Sequence, residues 1–256
     1  MTPVWGRVDL RAARSHDHPD GAAIVQAVDV EIVDLADSAA AVPGAAAVVI
    51  DVLRACTTAA AAFEAGAAEI VAVASVEQAL GLRERCGDVV LMGEVDGLPV
   101  PGFDLPNSPT IVATAALAGR VVVHRTTAGT QGLVQSAAAQ VLLAGAFVNA
   151  AATVAHLERL SPRRVVLVVT GSAAADGGDE DRACAEYLAA LLGGHRPDPA
   201  PYLERVRRSA AARKFAPDGP LGRYHADVER CAALDTAPYA LSAEVAGGYP
   251  RLRAGV

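Results

Sequence analysis

The sequence contains very little lysine and few aromatic residues. Lys214 is the only lysine among the 22 basic residues, and aromatic side chains make up 4% of the 256 residues. No Gly-Lys-Ser or Gly-Lys-Thr triplet occurs, so the phosphate-binding loop of common kinases and ATPases is excluded. Any anion bound by this chain is therefore held by arginine, backbone amides, hydroxyl groups or a metal ion.

Excess positive charge and long apolar runs are also missing. With 22 basic and 29 acidic residues, the formal net charge is −7, which opposes binding to nucleic acids and anionic membranes. No run of apolar residues reaches the roughly 18 of a membrane span, and the first residues lack the apolar core of a signal peptide. We therefore expect a cytoplasmic protein that binds neither nucleic acid nor membrane.

The four cysteines, Cys56, Cys86, Cys184 and Cys231, are widely separated and form no C-x-x-C pair. We expect reduced thiols that pack as small hydrophobic side chains, rather than disulfides or zinc ligands.

Apolar segments typical of buried strands alternate with helical segments between about residues 45 and 194. This alternation predicts an α/β fold with a largely parallel sheet that is covered on both faces. The predicted strands are 46–50, 69–74, 89–92, 121–124, 141–144 and 165–170, and the predicted helices are 57–65, 76–86, 109–118, 149–160 and 180–192.

The flanking segments complete one predicted domain, residues 1–256. Residues 1–44 form an N-terminal region with a strand at about 28–33, and residues 45–195 form the core that carries the motifs. Residues 196–256 are predicted to form helices at 202–215 and 224–234 and a last strand at 239–245.

Polar residues follow the predicted strands directly. In an open α/β sheet, ligands bind at the carboxyl ends of the strands, where loops and helix N-termini meet. The residues found there are Asp51, Arg54, Glu94, Thr126, Thr127, Thr130, Asn149, Glu180 and Asp181. We therefore expect them to line one binding site.

Asp51 ends the apolar run AAVVI, and Arg54 precedes a helix that begins close to Thr57 and Thr58. The free amides and positive dipole end of that helix, together with the arginine, suit a phosphorylated or carboxylated substrate with a divalent cation. The simpler alternative is that Asp51 only caps the helix.

Three further segments allow both a functional and a structural interpretation. The loop at 93–109 carries Glu94, Asp104, Asn107 and Ser108, although its Gly and Pro residues are also typical of a turn-rich connector. The TTAGT loop at 126–130 is a candidate anion cradle. The acids of GGDEDRACAEY at 177–187 suit Mg²⁺, although acids also favour the first turn of any helix.

Five segments in this order resemble the 2-phosphosulfolactate phosphatase family, the ComB-like proteins of coenzyme M biosynthesis. They are VVIDVLRACTTAAAAFEAGA, GEVDGLPVPGFDLPNSP, TTAGT, FVNAAA and DEDRACAEYLAALL, and ADVERCAALDT is similar to the family's C-terminal segment. The resemblance implies a three-layer α/β/α fold with a largely parallel or mixed sheet. It also implies Mg²⁺-dependent hydrolysis of a phosphate monoester of a small 2-hydroxy acid.

The positions that match the family's motifs are Asp51, Arg54, Glu94, Asp104, Asn107, Ser108, Thr126, Thr127, Gly129, Thr130, Asn149, Glu180 and Asp181. Their roles follow from phosphoryl-transfer chemistry, which requires neutralised phosphate oxygens and a nucleophile in line with the leaving oxygen. The predicted catalytic residues are Asp51, Arg54, Glu94 and Asp104, and the predicted metal ligands are Asp51, Glu94, Glu180 and Asp181. The predicted substrate or phosphate contacts are Thr57, Thr58, Asn107, Ser108, Thr126, Thr127, Gly129, Thr130 and Asn149.

The nucleophile is either water or Asp51 itself, through an aspartyl phosphate. The segment Asp51-Val52-Leu53 lacks the second acid of the D-x-D phosphatase motif, which favours water.

The chain departs from the family's usual residues at four positions. Cys56 replaces Ser or Thr, Pro106 and Glu186 each replace Gly, and Ala128 replaces an Asn whose amide could bond to substrate or phosphate. A second hypothesis is therefore a diverged homologue that binds a phosphorylated metabolite, or acts on a different phosphorylated substrate, without turning over 2-phosphosulfolactate.

A third hypothesis is a lyase or transferase that uses the same anion and metal site. Because symmetric oligomers are common among metabolic enzymes, we also expect a homodimer.

Overall fold

The computed structural model describes residues 28–171 and 178–255. The strands are β1 (Asp29–Asp34), β2 (Ala46–Ile50), β3 (Glu69–Val73), β4 (Val89–Val95), β5 (Leu98–Pro99), β6 (Leu105–Pro106), β7 (Val121–Arg125), β8 (Val141–Gly145), β9 (Arg164–Val169), β10 (Ala240–Ala246) and β11 (Tyr249–Gly255). The helices are α1 (Leu35–Ala41), α2 (Ala55–Glu64), α3 (Val76–Cys86), α4 (Pro109–Val112), α5 (Gly129–Gln135), α6 (Ala150–Leu160), α7 (Asp179–Leu192), α8 (Ala200–Arg208), α9 (Ala210–Arg213) and α10 (Ala226–Cys231).

The strands form one mixed sheet in the order β1-β9-β2-β8-β10-β11-β3-β7-β4-β5, with β6 paired to β4. Strands β1, β9, β2 and β8 are parallel to one another, and so are β3, β7, β4 and β6. The hairpin β10–β11 lies between these halves and pairs antiparallel with both. The two parallel halves therefore run in opposite directions.

Helices cover both faces of the first half of the sheet. A β-carbon at Gly132, on α5, would lie 2.6 Å from the side chain of Val49, and one at Gly145 would lie near Val48 and near Leu188 of α7. Val48 and Val49 are consecutive in β2 and so point to opposite faces, which places α5 and α7 on opposite sides. The predicted α/β class and its three-layer arrangement are confirmed.

The predicted strands of the core and the N-terminal strand lie at or near their predicted positions. The predicted helix at 109–118 is wrong in length, because α4 ends at Val112. The amides of Thr114, Ala115 and Leu117 bond carbonyls two or three residues back, which makes turns that bury Leu117. The helix predicted at 202–215 is interrupted at Ser209, whose backbone is extended and whose hydroxyl caps α9.

Two predictions near the C-terminus need correction, and one helix after the N-terminal strand was missed. The strand predicted as the last, 239–245, is followed by β11 across a turn in which Gly247 and Gly248 have φ of 63° and 83°, a backbone that glycine adopts easily. The helix predicted at 224–234 covers only Ala226–Cys231, and α1 was not predicted.

All four cysteines are free. Cys56, Cys184 and Cys231 are buried, as predicted for small hydrophobic side chains, but Cys86 is exposed because it ends α3 at the surface. Among the described residues, no helix is long and apolar enough to cross a membrane.

Candidate active site

Asp51 lies between the end of β2 and the start of α2 and is 6% exposed. Its Oδ1 accepts a hydrogen bond from the Ala55 amide at 2.8 Å, so the carboxylate does cap the helix. Its Oδ2 faces Gly129 at the start of α5, where a β-carbon would lie 2.7 Å from this oxygen. The starts of α2 and α5 therefore meet at one buried carboxylate.

This meeting point is not formed by a single edge of the sheet. Since the strands of the two halves run in opposite directions, the carboxyl ends of β2 and β7 would point to opposite sides of a flat sheet. Helix α5, which follows β7, packs against both β2 and β3. The first residue of α5, Gly129, therefore reaches Asp51. In this way α5 brings the TTAGT loop, which follows β7, next to the carboxylate that follows β2.

Two acids in the first turn of α7 lie beside Asp51. The Oδ1 of Asp181 accepts a hydrogen bond from the Val52 amide at 2.7 Å, and its Oδ2 accepts from the Thr170 hydroxyl at 3.1 Å and the Gly171 amide at 2.9 Å. Glu180 is 4% exposed, and its Oε2 has no hydrogen-bond partner in the described parts of the chain. One carboxylate oxygen is thus buried without compensation.

The electrostatics reflect this crowding of acids. Burial raises the pKa of Asp51 to about 6, and the charges of Glu94 and Glu180 act in the same direction. Burial raises the pKa of Asp181 well above its usual range, with further contributions from the Asp51 and Glu180 charges, and it also raises the pKa of Glu180. A cation bound among these groups would remove the repulsion.

Glu94 lies in β4 and joins two loops. Its carboxylate accepts hydrogen bonds from the Gly97 amide in the β4–β5 hairpin and from the amide and hydroxyl of Thr127 before α5. The guanidinium of Arg125 donates to the Glu94 carbonyl at 2.7 Å. Both carboxylate oxygens of Glu94 are therefore used to hold the loops that border Asp51.

Two hydroxyls of the TTAGT loop, those of Thr126 and Thr130, bond within the loop itself. The Thr130 amide donates to the Thr126 hydroxyl at 2.9 Å, and the Thr126 amide donates to the Thr130 hydroxyl at 2.8 Å. These reciprocal bonds fix the first turn of α5 and, with it, the approach of Gly129 to Asp51.

Arg54 is held in a buried ion pair. Its Nη1 lies 2.8 Å from an oxygen of Asp227, and its guanidinium lies 4.7 Å and 4.8 Å from the ring centroids of Phe215 and Tyr224. The Ser108 hydroxyl donates to the other Asp227 oxygen at 2.8 Å. Arg54, a predicted catalytic residue, and Ser108, a predicted substrate or phosphate contact, therefore share one acid from the C-terminal segment.

The remaining predicted contacts on α2 and before α4 are buried. The Thr57 hydroxyl donates to the Val52 carbonyl at 2.9 Å, whereas the Thr58 hydroxyl has no partner among the described residues. The Asn107 side-chain oxygen lies 3.3 Å from Nε2 of His124. Burial lowers the pKa of His124 to about 3, so this pair is neutral.

Two predicted site residues are not brought into the cluster. Asp104 is about half exposed, accepts a hydrogen bond from the Leu91 amide at 2.7 Å and pairs with Arg83. Asn149 uses its side-chain oxygen and nitrogen on two main-chain groups of the turn after β8. Both side chains support local structure.

Sequence reasoning did not single out Asp227, His124 or Thr170. Asp227 lies in ADVERCAALDT, which resembles the family's C-terminal segment, but one acid in a short helix gives no sign that it is buried. Its position, fully enclosed, depends on how the C-terminal segment packs over α2 and α4.

The structure shows where three of the departures from the family lie and what they contact. Glu186 pairs with Arg205, which also pairs with Asp179, on the outer side of α7. Ala128 stands at the N-cap position of α5 without a capping side chain. Pro106 belongs to β6 and pairs with β4. Of these, only Ala128 adjoins the cluster around Asp51.

No group of three or more His, Cys, Asp or Glu side chains within residues 28–171 and 178–255 is already arranged for a metal ion. The chemistry of the donors nevertheless fits Mg²⁺, which prefers oxygen ligands. Glu180 Oε2 is buried and unpartnered, and the neighbouring acids have raised pKa values. The metal itself stays a prediction.

Buried carboxylates thus meet beside two helix starts on a mixed α/β sheet, and this cluster is the candidate active site. The chain matches the family model described as 2-phosphosulpholactate phosphatase over residues 31–240. It belongs to this family, as predicted, and family membership places it among the phosphoric monoester hydrolases.

Relatives named "Probable 2-phosphosulfolactate phosphatase" support the assignment. The protein of Bacillus subtilis (strain 168) is 36% identical over 169 residues, which cover 66% of this chain and 73% of that protein. The protein of Deinococcus radiodurans is 46% identical over 150 residues, covering 57% and 62%. The Thermus thermophilus protein is 39% identical over 175 residues, covering 66% and 70%.

Proposed function

We propose that this protein is a Mg²⁺-dependent phosphatase that hydrolyses the phosphate monoester of a small 2-hydroxy acid such as 2-phosphosulfolactate. The observation that carries the proposal is the buried, unpartnered Oε2 of Glu180 beside the buried carboxyls of Asp51 and Asp181. Membership of the 2-phosphosulpholactate phosphatase family supports the reaction class.

Asp51 and Glu180 are the side chains that would hold Mg²⁺ directly. Both oxygens of Asp181 and of Glu94 already accept hydrogen bonds, whereas Glu180 Oε2 accepts none from the described residues. Asp51 accepts the Ala55 amide through Oδ1, which leaves Oδ2 on the side of Gly129. Two carboxylates and several waters are a usual ligand set for this ion. When bound, Mg²⁺ supplies neutralisation of the charge on the phosphate oxygens.

The protein's own groups orient the reactants. Asp51, whose Oδ1 is held by the Ala55 amide, orients the attacking water at the start of α2. The Thr58 hydroxyl, buried without a partner in the first turn of α2, can donate to a phosphate oxygen. As water bonds to phosphorus, the bond from phosphorus to the ester oxygen of the substrate breaks, and the proton that the water loses passes to that oxygen.

The test is release of inorganic phosphate from a panel of phosphorylated 2-hydroxy acids, 2-phosphosulfolactate included, with Mg²⁺ and with a chelator. We expect release that requires the metal and is lost in Asp51→Asn and Glu180→Gln. The matched control is Asp88→Asn, because Asp88 is a largely exposed acid that pairs with Arg120; this variant should keep wild-type activity.

The outcomes separate the three hypotheses. Tight binding of the esters without release favours the diverged homologue, and consumption of an ester without free phosphate favours a lyase or transferase. If phosphate becomes covalently bound to Asp51 and hydroxylamine releases it, the nucleophile is Asp51 rather than water. The homodimer and the cytoplasmic location stay predictions.

A further inference from the structure

Asp227 is a fully buried acid for which the proposed reaction has no use. It lies on α10 and has an exposed fraction of 0%. Its Oδ2 accepts from Arg54 Nη1 at 2.8 Å, and its Oδ1 accepts from the Ser108 hydroxyl at 2.8 Å and the Thr110 amide at 3.1 Å. One carboxylate thus joins the starts of α2 and α4 to the C-terminal segment.

The partner guanidinium is fixed on several sides. Arg54 lies against the rings of Phe215 and Tyr224, and its Nη2 approaches the Gly97 carbonyl at 3.4 Å. A buried ion pair is weak evidence for stability, because apolar residues of similar size often serve as well. The benefit of this pair therefore lies in the position that it imposes on Arg54.

Arg54 is connected to the reacting groups at both ends. The next residue, Ala55, donates its amide to Asp51 Oδ1, and the Gly97 amide donates to Glu94. A displacement of Arg54 would thus move the start of α2 and the hairpin that holds Glu94.

We propose that Asp227 is a positioning residue, which holds Arg54 and Ser108 and thereby keeps the α2 start and the Asp51 carboxylate in place. This inference rests on the proposed function, since Asp51 is the group that it serves.

The test compares Asp227→Asn, which keeps the shape and removes the charge, with Glu229→Gln as the matched control. Glu229 is an exposed acid on the same helix that pairs with Arg207. For Asp227→Asn we expect kcat to fall at least tenfold with KM changed less than threefold, and faster hydrogen exchange at the amides of residues 54–58. Glu229→Gln should match the wild type in kcat, in KM and in hydrogen exchange at these amides.

A double variant tests whether Asp227 acts through Arg54. In an Arg54→Gln background, Asp227→Asn should lower kcat by much less than it does in the wild type. Equal losses in the two backgrounds would overturn the proposal. If Asp227→Asn does not fold, Arg54→Lys replaces it, because Lys keeps the charge without the guanidinium fork; wild-type kcat in that variant would also overturn the proposal.

The exchange measurement keeps this inference separate from the proposed function. If the wild type releases no phosphate, the proposed function fails, but faster exchange at residues 54–58 in Asp227→Asn alone would still support the positioning role. Unchanged exchange there would overturn it.

Discussion

Gly129→Ala adds a single methyl group at the place where α2 and α5 meet. The new β-carbon would lie 2.5 Å from the β-carbon of Ala55 and 2.7 Å from Asp51 Oδ2, both well inside van der Waals contact. The clash is with short, buried groups that cannot rotate away, so α5 or the Asp51 turn must move.

The expected cost follows from the packing. Forcing an extra carbon into a filled interior costs about 1–3 kcal/mol, which in a chain of this size lowers Tm by roughly 2–12 °C. A displacement of Asp51 by about 1 Å would also lower kcat by roughly 100-fold, as misplacement of a reacting group does.

The assay is thermal unfolding together with phosphate release, and Gly81→Ala is the control. Gly81 lies inside α3, and its nearest neighbour is the flexible end of Arg85 at 3.2 Å. Because Ala is favoured over Gly in a helix by about 0.5–1 kcal/mol, the control should raise Tm. Wild-type Tm and kcat in Gly129→Ala would refute the close approach of α5 to Asp51.

Three other substitutions have distinct expected results. The pKa of Asp51 is raised from 3.8 to about 6, so the folded state of the metal-free protein loses stability as pH rises through that range. Asp51→Asn removes this loss and should raise the free energy of unfolding by about 3 kcal/mol at pH 7. Urea unfolding should show this gain shrinking toward pH 4, and a gain independent of pH would contradict the assignment. Ala128→Asn supplies the missing cap of α5 and should raise the free energy of unfolding by about 1 kcal/mol; an unchanged Tm would argue against a capping role. Glu186→Ala should change the free energy of unfolding by less than about 1 kcal/mol, because the pair with Arg205 is partly exposed. It should leave kcat/KM unchanged, and a large loss of activity would instead connect Glu186 to the site.

The strands were predictable because each is marked by a short apolar run in the local sequence. A run such as AAVVI in β2 is apolar on both faces of the strand, as a parallel sheet covered on both faces requires. The helix at Pro109 was predicted too long, because its alanine-rich continuation favours a helix locally while the packing of Leu117 requires turns. Tertiary contacts there outweigh the intrinsic preference.

The candidate site was predictable in its residue types but only partly in its geometry. Asp51 and the acids of α7 lie close together, since they follow β2 and β9, which are parallel neighbours in the sheet. Asp104 carries the same functional group, yet its pairing with Arg83 takes it out of the cluster. Local sequence cannot distinguish these cases, because the partner of each acid comes from a distant segment.

The sequence by itself determined the α/β class, the family and the acids and hydroxyls at the strand ends, because these follow from local patterns and from motifs in a fixed order. The tertiary structure alone decided that the two halves of the sheet run in opposite directions, with a C-terminal hairpin between them. It also decided that Arg54 pairs with Asp227, 173 residues away along the chain. Such pairings depend on which surfaces are buried together, and that is a property of the packed chain rather than of any single segment.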